Sequence, residues 1–390
     1  MTVPQFTTEE YTGRRLATQQ GMADRKLDLL LLTAPENIFY LVGFQTASLV
    51  ADAFLAVPRE GLPFFVTRRL DIGNMFGEVD GALIGDFAIY EDDYGAPSSI
   101  EILVKLLKRH GVSLARIGWE EQSHYLTLRS ANHFRDYLPN TVFSDETSLV
   151  EMLRWIKSPA EMACHREAGR IAVETVNASI EAAHVGATDN DVARAGLDAM
   201  IRSGGEYVAN WPHVRTGHHT GWGHRTWMQR RIELGQPTVI EIAGVVKRYH
   251  CPLYKTVIHD APAGLRAVAE VAAEANEAGR RALRPGVTNG EVFAAVDQVL
   301  HARGYAESGI SRNGYMVGIA MQPNWVQRYG ISIARGGNIL LKPGMVFHFL
   351  TVLAKPNEYA VGESSTLALI DGGWTDLTPG VEAGPILREP

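Results

Sequence analysis

The chain of 390 residues has a formal net charge of -7, with 46% hydrophobic and 21% charged residues. This is the composition of an ordinary globular protein long enough for two domains, and its negative charge argues against a nucleic-acid surface. Two cysteines support neither a disulfide framework nor a thiolate zinc site. The amino-terminal segment lacks the apolar core of a signal peptide and no later window has the length of a membrane helix, so we expect a cytoplasmic protein that makes no membrane contact.

The first part of the chain alternates helix and strand signals, as in an α/β layer domain. Periodicity predicts helices over residues 10–25, 99–109 and 127–137. Apolar and β-branched runs predict strands over residues 29–33, 48–57, 63–67 and 117–119, the first of them closed by the segment that begins at Pro35. We expect this α/β domain to occupy residues 1–155.

A second domain, residues 156–390, is predicted to begin with a long helix. Ser158 can cap that helix, Pro159 fits its first turn and Glu161 completes a capping box. The helix is expected to run to about His184.

The second domain contains an internal repeat, in which residues 181–205 and 281–305 match at a constant offset of 100 residues. The identical positions are Ala182/Ala282, Gly186/Gly286, Thr188/Thr288, Val192/Val292, Ala195/Ala295 and Gly204/Gly304. In each copy a helix, a Gly-Thr turn and a second helix precede a strand-rich segment, so we expect two α+β halves related by a pseudo-twofold axis. A cavity between the halves would be a natural place for a site.

Glu241 stands in the apolar, β-branched run that opens residues 237–258. A carboxylate in a buried strand is costly unless it is paired, binds a metal or stays neutral for proton transfer. Because fully buried glutamate is rare, we interpret Glu241 as a functional residue rather than a satisfied core carboxylate.

Four histidines occupy the glycine-containing loop predicted over residues 210–227, namely His213, His218, His219 and His224. Their spacing differs from that of a helical zinc motif. An imidazole is the usual proton carrier at neutral pH, so one of them is a candidate acid/base, although a surface role is common for any single loop histidine.

Polar residues with apolar neighbours recur in the second strand-rich segment, at Tyr315, Trp325, Arg328, His348 and Glu363. Glu363 precedes a predicted strand over residues 366–370, and it could face Glu241 across one cavity. Two such carboxylates suit either acid/base work on a cationic substrate or metal binding. A metal site needs further ligands, and we find no third acidic residue in a comparable strand context.

These features, in this order, resemble the pita-bread family of methionine aminopeptidases, prolidases and creatinases. The likeness covers nearly the whole chain and includes the stretch RWIKSPAEMACHREAGRIA at residues 154–172. It implies a creatinase-like α/β domain followed by an α+β pita-bread domain. In the metallopeptidase ligand pattern, Glu241 and Pro252 take the places of two aspartates, while Tyr315 and Leu350 take those of a histidine and a glutamate. Glu363 lies beside the last position. Proline and leucine side chains cannot ligate, so most of a dinuclear metal site is lacking.

Three stretches resemble the metal-independent branch of that family, above all the ectoine hydrolases: residues 241–257, 314–325 and 343–350. The resemblance implies hydrolysis of a C–N bond in a small nitrogen-rich substrate with no cofactor. His224 would move the proton, and Glu241 would hold or attack the cationic amidine or guanidine group. Pocket residues implied in the same way are Tyr249, Tyr254, Tyr315, Trp325, His348 and Arg328.

The resemblance also implies a homodimer whose N-terminal domain lies near the partner's site. Residues 44–48 lack the further aromatic side chains expected of an ectoine hydrolase, so the substrate stays open. Two alternatives are a divergent Xaa-Pro metallopeptidase and a non-catalytic binding protein on the same fold.

Overall fold

The computed structural model describes residues 6–49, 51–93 and 95–389. The described residues form two compact units, one ending at Arg154 and the other beginning at Trp155. None of the helices in these ranges has the length and apolar content needed to cross a bilayer. Residues 1–5, which belong to the amino-terminal segment without a signal-peptide core, and Val50, in the strand predicted over residues 48–57, lie outside the described residues.

The first unit is a mixed sheet of six strands with accompanying helices. Its strands are β1 (Leu29–Leu32), β2 (Phe54–Pro58), β3 (Phe64–Arg68), β4 (Asp86–Tyr90), β5 (Arg116–Trp119) and β6 (Val142–Asp145). Its helices are α1 (Thr8–Asp24), α2 (Pro35–Val42), α3 (Ile72–Glu78), α4 (Ser99–Arg109), α5 (Leu128–Tyr137) and α6 (Ser148–Leu153). The strand order is β4-β3-β2-β1-β5-β6, with β2 antiparallel to both neighbours. Pro35, expected to close β1, instead begins α2, because its fixed φ suits the first turn of a helix.

The second unit combines four long helices with a nine-stranded sheet. Its helices are α7 (Pro159–Ala182), α8 (Asp189–Arg202), α9 (Ala263–Ala282) and α10 (Asn289–Ala302). Its strands are β7 (His213–Thr216), β8 (Pro237–Val246), β9 (Tyr249–His259), β10 (Arg312–Met316), β11 (Ser332–Ala334), β12 (Val346–Lys355), β13 (Tyr359–Ile370), β14 (Gly373–Asp376) and β15 (Ile386–Arg388). The predicted capping box of α7 is present, with Ser158 and Glu161 bonding reciprocally.

The internal repeat corresponds to two similar halves of this unit. Thr188 and Thr288 each cap the second helix of a hairpin through a capping box. The main path of the sheet runs β11-β10-β12-β13-β9-β8-β7, so β13 and β9 meet at its centre and each half contributes the strands on one side. The expected duplication is thereby confirmed, and the two halves share one continuous sheet.

Strand alternation decides which side chains face the helices and which face away. Gly244 of β8 lies so close to α7 that an added Cβ would come 2.0 Å from the carbonyl oxygen of Ala168. Successive residues of a strand point to opposite faces. Glu241, an odd number of residues from Gly244, therefore lies on the face of the sheet away from α7.

Candidate active site

A cavity of about 420 Å³ opens on the face of the sheet that carries Glu241. Both halves of the second unit contribute to its wall. The lining residues with polar side chains are Asn210, His213, Arg215, Thr220, His224, Glu241, Tyr254, Ser311, Arg312, Tyr315, Asn324 and Trp325. This arrangement agrees with the expectation of a site between two repeated halves.

Three of the polar side chains stand side by side on neighbouring strands. His213 of β7 pairs with Glu241 of β8, which pairs with Tyr254 of β9. Residues that pair directly across antiparallel strands point to the same face of a sheet. The imidazole, the carboxylate and the phenol consequently form one row along the cavity wall.

Burial raises the pKa of Glu241 to about 7, while the positive charges of Arg215 and Arg312 act in the opposite direction. The side chain keeps part of its surface accessible, and it lines the cavity. No neighbour in the described part of the chain donates a hydrogen bond to it. Glu241 can therefore either take up a proton near neutral pH or bind a cation that replaces the proton.

Three buried polar atoms around Glu241 have no hydrogen-bond partner among the described residues: His213 Nδ1, Arg215 Nε and Tyr254 Oη. Burial, and then the charges of Arg215 and His224, lower the pKa of His213 to about 4, so its ring is neutral. An unpaired buried polar group costs about 1–3 kcal/mol. A polar ligand in the cavity would satisfy these groups.

Another part of the cavity wall is built around Tyr315 of β10. Its hydroxyl oxygen accepts a hydrogen bond from Trp325 Nε1 at 3.0 Å and lies 2.8 Å from His348 Nδ1. The guanidinium of Arg312 lies 4.6 Å from the centre of the Tyr315 ring. A register shift between Arg312 and Tyr315 breaks the strand alternation, so that both line the cavity although they are three residues apart.

Five of the residues predicted for the site do line this cavity, namely His224, Glu241, Tyr254, Tyr315 and Trp325. His224 is exposed, in the loop before β8, with its ring centre 5.8 Å from that of His213. The histidine loop is more regular than expected, because β7 begins at His213, and His218 and His219 lie in a short 3-10 helix, Gly217–Gly221. These last two residues do not line the cavity.

Glu363 lies elsewhere, on the helix-facing side of the sheet. Its carboxylate forms an ion pair with Lys255 at 2.9 Å and accepts a hydrogen bond from the backbone of Gly384 at 2.7 Å. The next residue, Ser364, has its side chain on the face shared with Tyr254 and His348. The expected Glu241–Glu363 pair across one cavity is thus absent from the structure, because strand alternation turns these two carboxylates to opposite faces.

Three further predicted pocket residues do not line the cavity. Tyr249 is buried and donates a hydrogen bond to Glu161 at 2.9 Å. Arg328 is exposed and lies over the ring of Tyr329. His348 is buried behind Tyr315, where it can act on a ligand only through that side chain.

Sequence reasoning missed the two arginines, Arg215 and Arg312. Alternation in the short run HVRT, had it been read as a strand, would have placed Arg215 on the same face as His213. No comparable signal existed for Arg312, because its orientation depends on the register shift in β10.

The donor set does not fit a dinuclear metal centre. Glu241 is the one carboxylate among the cavity-lining residues, and two guanidiniums share the cavity with it. Within residues 6–49, 51–93 and 95–389, no group of three or more His, Cys, Asp and Glu side chains is placed to hold a metal ion. Hard divalent ions in hydrolytic sites require several anionic ligands, and the cationic arginines would repel them.

The sequence is similar to two known domain families and to characterised and uncharacterised relatives. Residues 14–156 match the creatinase/prolidase N-terminal domain, and residues 163–370 match metallopeptidase family M24. The chain is 31% identical to an uncharacterized hydrolase/peptidase, y4tM, of Sinorhizobium fredii, over 90% of this chain and 91% of that protein. It is 29% identical to the ectoine hydrolase of Halomonas elongata, over 88% of this chain and 89% of that enzyme.

The fold is that of the dipeptidase PepE from Mycobacterium ulcerans, with a TM-score of 0.83 at 22% identity over 99% of this chain and 100% of that one. The expected pita-bread architecture is thereby confirmed. The protein belongs to metallopeptidase family M24, whose members include hydrolases, and it carries a creatinase/prolidase N-terminal domain before the M24 domain.

Proposed function

We propose that the protein hydrolyses a C–N bond in a small cyclic amidine or guanidino compound, without a catalytic metal. The observation that carries this proposal is the position of Glu241, a lone carboxylate in a cavity wall that raises its pKa to about 7. Amidines and guanidines are strong bases and are cationic at neutral pH, so such a cation would displace the proton from Glu241 and form a charge-assisted hydrogen bond in its place. The likeness to ectoine hydrolase supports the same substrate class.

The charged side chains of the cavity favour a substrate that carries both a positive and a negative charge. Glu241 supplies one negative charge, and Arg215 and Arg312 supply two positive charges. A zwitterion would place its cationic nitrogen group at Glu241 and an acidic group toward the arginines. The unpaired Arg215 Nε is available to donate to that acidic group.

Two routes use these residues. In the first, water adds to the amidine carbon as His224 takes the proton of that water, and the C–N bond breaks as His224 returns the proton to the leaving nitrogen. In the second, a carboxylate oxygen of Glu241 bonds to the amidine carbon, the leaving nitrogen departs with a proton from His224, and water then hydrolyses the bond to Glu241. Both routes require His224 and Glu241 in one cavity.

The test is hydrolysis of a panel of cyclic amidines and guanidino acids by the purified protein, with products followed by NMR. The variants Glu241→Gln and His224→Ala should each lower kcat/KM at least about 100-fold. His184→Ala, which changes another exposed histidine outside the cavity, serves as the matched control and should retain activity. A wild-type protein that hydrolyses nothing on the panel would refute the proposal and favour a binding protein.

A divergent Xaa-Pro metallopeptidase is the second candidate, favoured by the match to a metallopeptidase family. Elemental analysis separates the two candidates. Stoichiometric manganese, iron or zinc in the purified protein, together with dipeptide hydrolysis that a chelator abolishes, would replace the first proposal by the second.

A further inference from the structure

A buried chain of hydrogen bonds runs from the cavity wall into the sheet. Trp325 Nε1 lies 3.0 Å from Tyr315 Oη, which lies 2.8 Å from His348 Nδ1. On the other side of the imidazole, His348 Nε2 lies 2.6 Å from Ser364 Oγ, to which the backbone nitrogen of Tyr254 donates at 2.7 Å. Because both ring nitrogens of His348 face oxygen atoms, turning the ring over would place carbon atoms against these oxygens.

The two ends of this chain have a fixed direction. An indole N–H and a backbone N–H can only donate, so Trp325 donates to Tyr315 Oη and the Tyr254 amide donates to Ser364 Oγ. The directions of the two hydrogen bonds of His348 then depend on three hydrogen atoms: the hydroxyl hydrogens of Ser364 and Tyr315 and the ring hydrogen of His348.

Ser364 decides the direction at the imidazole. Its side chain is buried, and His348 Nε2 is the acceptor within reach of its hydroxyl hydrogen among the described residues. A hydroxyl hydrogen directed elsewhere would be buried without a partner. Ser364 therefore donates to Nε2. Burial, and then the charge of Arg312, lower the pKa of His348 to about 3, so the neutral ring carries its hydrogen on Nδ1.

His348 Nδ1 consequently donates to Tyr315 Oη, which already accepts from Trp325. With both accepting positions of the phenol occupied, its own hydrogen must be donated outward. Tyr315 lines the cavity, and no acceptor for this hydrogen lies within hydrogen-bond distance among the described residues. The Tyr315 hydroxyl hydrogen is thus left for an acceptor outside the described residues, such as a ligand in the cavity that Tyr315 lines.

We propose that Tyr315 is a preset hydrogen-bond donor to the substrate, held in this role by His348 and Ser364 as positioning residues. The inference rests on the proposed function for its catalytic meaning. When the amidine carbon is attacked, electron density builds up on its substituents, and a donor fixed beforehand stabilises that charge without reorganisation. The proton of Tyr315 stays on the phenol throughout, because burial and the negative charge of Glu241 raise its pKa.

The first test needs no substrate. In protein with ¹⁵N-labelled histidine, NMR should show His348 as the neutral form protonated at Nδ1, its signals being assigned by their loss in His348→Gln. Protonation at Nε2 would overturn the proposal. If His348 is protonated at Nδ1 but no amidine is hydrolysed, the proposed function fails while the donor assignment stands.

The second test uses activity. Tyr315→Phe should lower kcat about 100- to 1,000-fold with little change in KM, as for loss of one preset donor. Ser364→Ala should lower kcat and reduce the fraction of His348 protonated at Nδ1, whereas Ser364→Thr, which keeps the hydroxyl, should preserve both. Tyr249→Phe makes the same change in a buried tyrosine outside the cavity and should leave kcat unaltered. Wild-type kcat in Tyr315→Phe would refute the donor role.

Discussion

The replacement Glu241→Gln tests whether the buried carboxylate, which the proposed reaction needs, lowers the stability of the folded protein. In the folded protein the pKa of Glu241 is raised from 4.5 to about 7, mainly because burial penalises the charged carboxylate. The difference between these values corresponds to about 3 kcal/mol, at ~1.4 kcal/mol per pH unit. Above pH 7 the folded wild-type protein is destabilised by this amount, because it holds an ionised carboxylate in the cavity wall. The neutral amide of glutamine, which has a similar shape, does not carry this cost.

The effect of the replacement depends on pH in a defined direction. Between about pH 4.5 and 7, folded Glu241 keeps a proton that the unfolded chain has lost, so the free energy of unfolding of the wild type falls as the pH rises through this window. The amide does not titrate. Glu241→Gln should therefore match the wild type below about pH 4.5. At pH 8 it should exceed the wild type by up to about 3 kcal/mol, or roughly 6–12 °C in Tm for a domain of this size.

Thermal unfolding followed by circular dichroism at pH 4.5 and pH 8 measures this difference. Glu277→Gln, at an exposed carboxylate, is the control and should show no comparable change with pH. A stabilisation that is equal at both pH values, or a loss of stability at pH 8, would refute the reasoning. The first result would mean that attraction to Arg215 and Arg312 balances the burial of the carboxylate, and the second that this attraction outweighs burial.

Three further outcomes test other parts of the structure. Acetamidinium, as a simple cationic probe, should bind about tenfold more tightly for each pH unit from 5 to 7 and no more tightly above, because it binds ionised Glu241; a flat profile in calorimetry would contradict this. Glu363→Gln should leave KM unchanged yet cost about 3 kcal/mol in urea unfolding, because a lysine is left buried without its ion-pair partner; a raised KM would place Glu363 in the site after all. Gly244→Ala should lower stability by about 3 kcal/mol, because its new Cβ would meet a carbonyl oxygen of α7, whereas Gly264→Ala, in open space, should not.

Local signals in the sequence were sufficient to predict several elements. The capping box at Ser158 involves contacts within one helical turn, so the start of α7 could be predicted without the rest of the fold. The same holds for Thr188 and Thr288, whose equal caps confirm the internal repeat. Glu241 could be recognised as unusual because the apolar run around it predicts a strand.

The composition of the site depended on strand pairing between distant segments. Whether Glu363 or Ser364 points to the face of the sheet that carries Glu241 is decided by a shift of one residue in β13, and alternation with a period of two makes that shift decisive. The orientation of Arg312 follows from an irregularity in β10, which no local pattern predicts. The sequence by itself thus determined the helices with strong local signals, the repeat and the exceptional carboxylate of Glu241. Only the tertiary structure decided which side chains join it in the cavity, because pairing register is set by contacts between segments far apart in the chain.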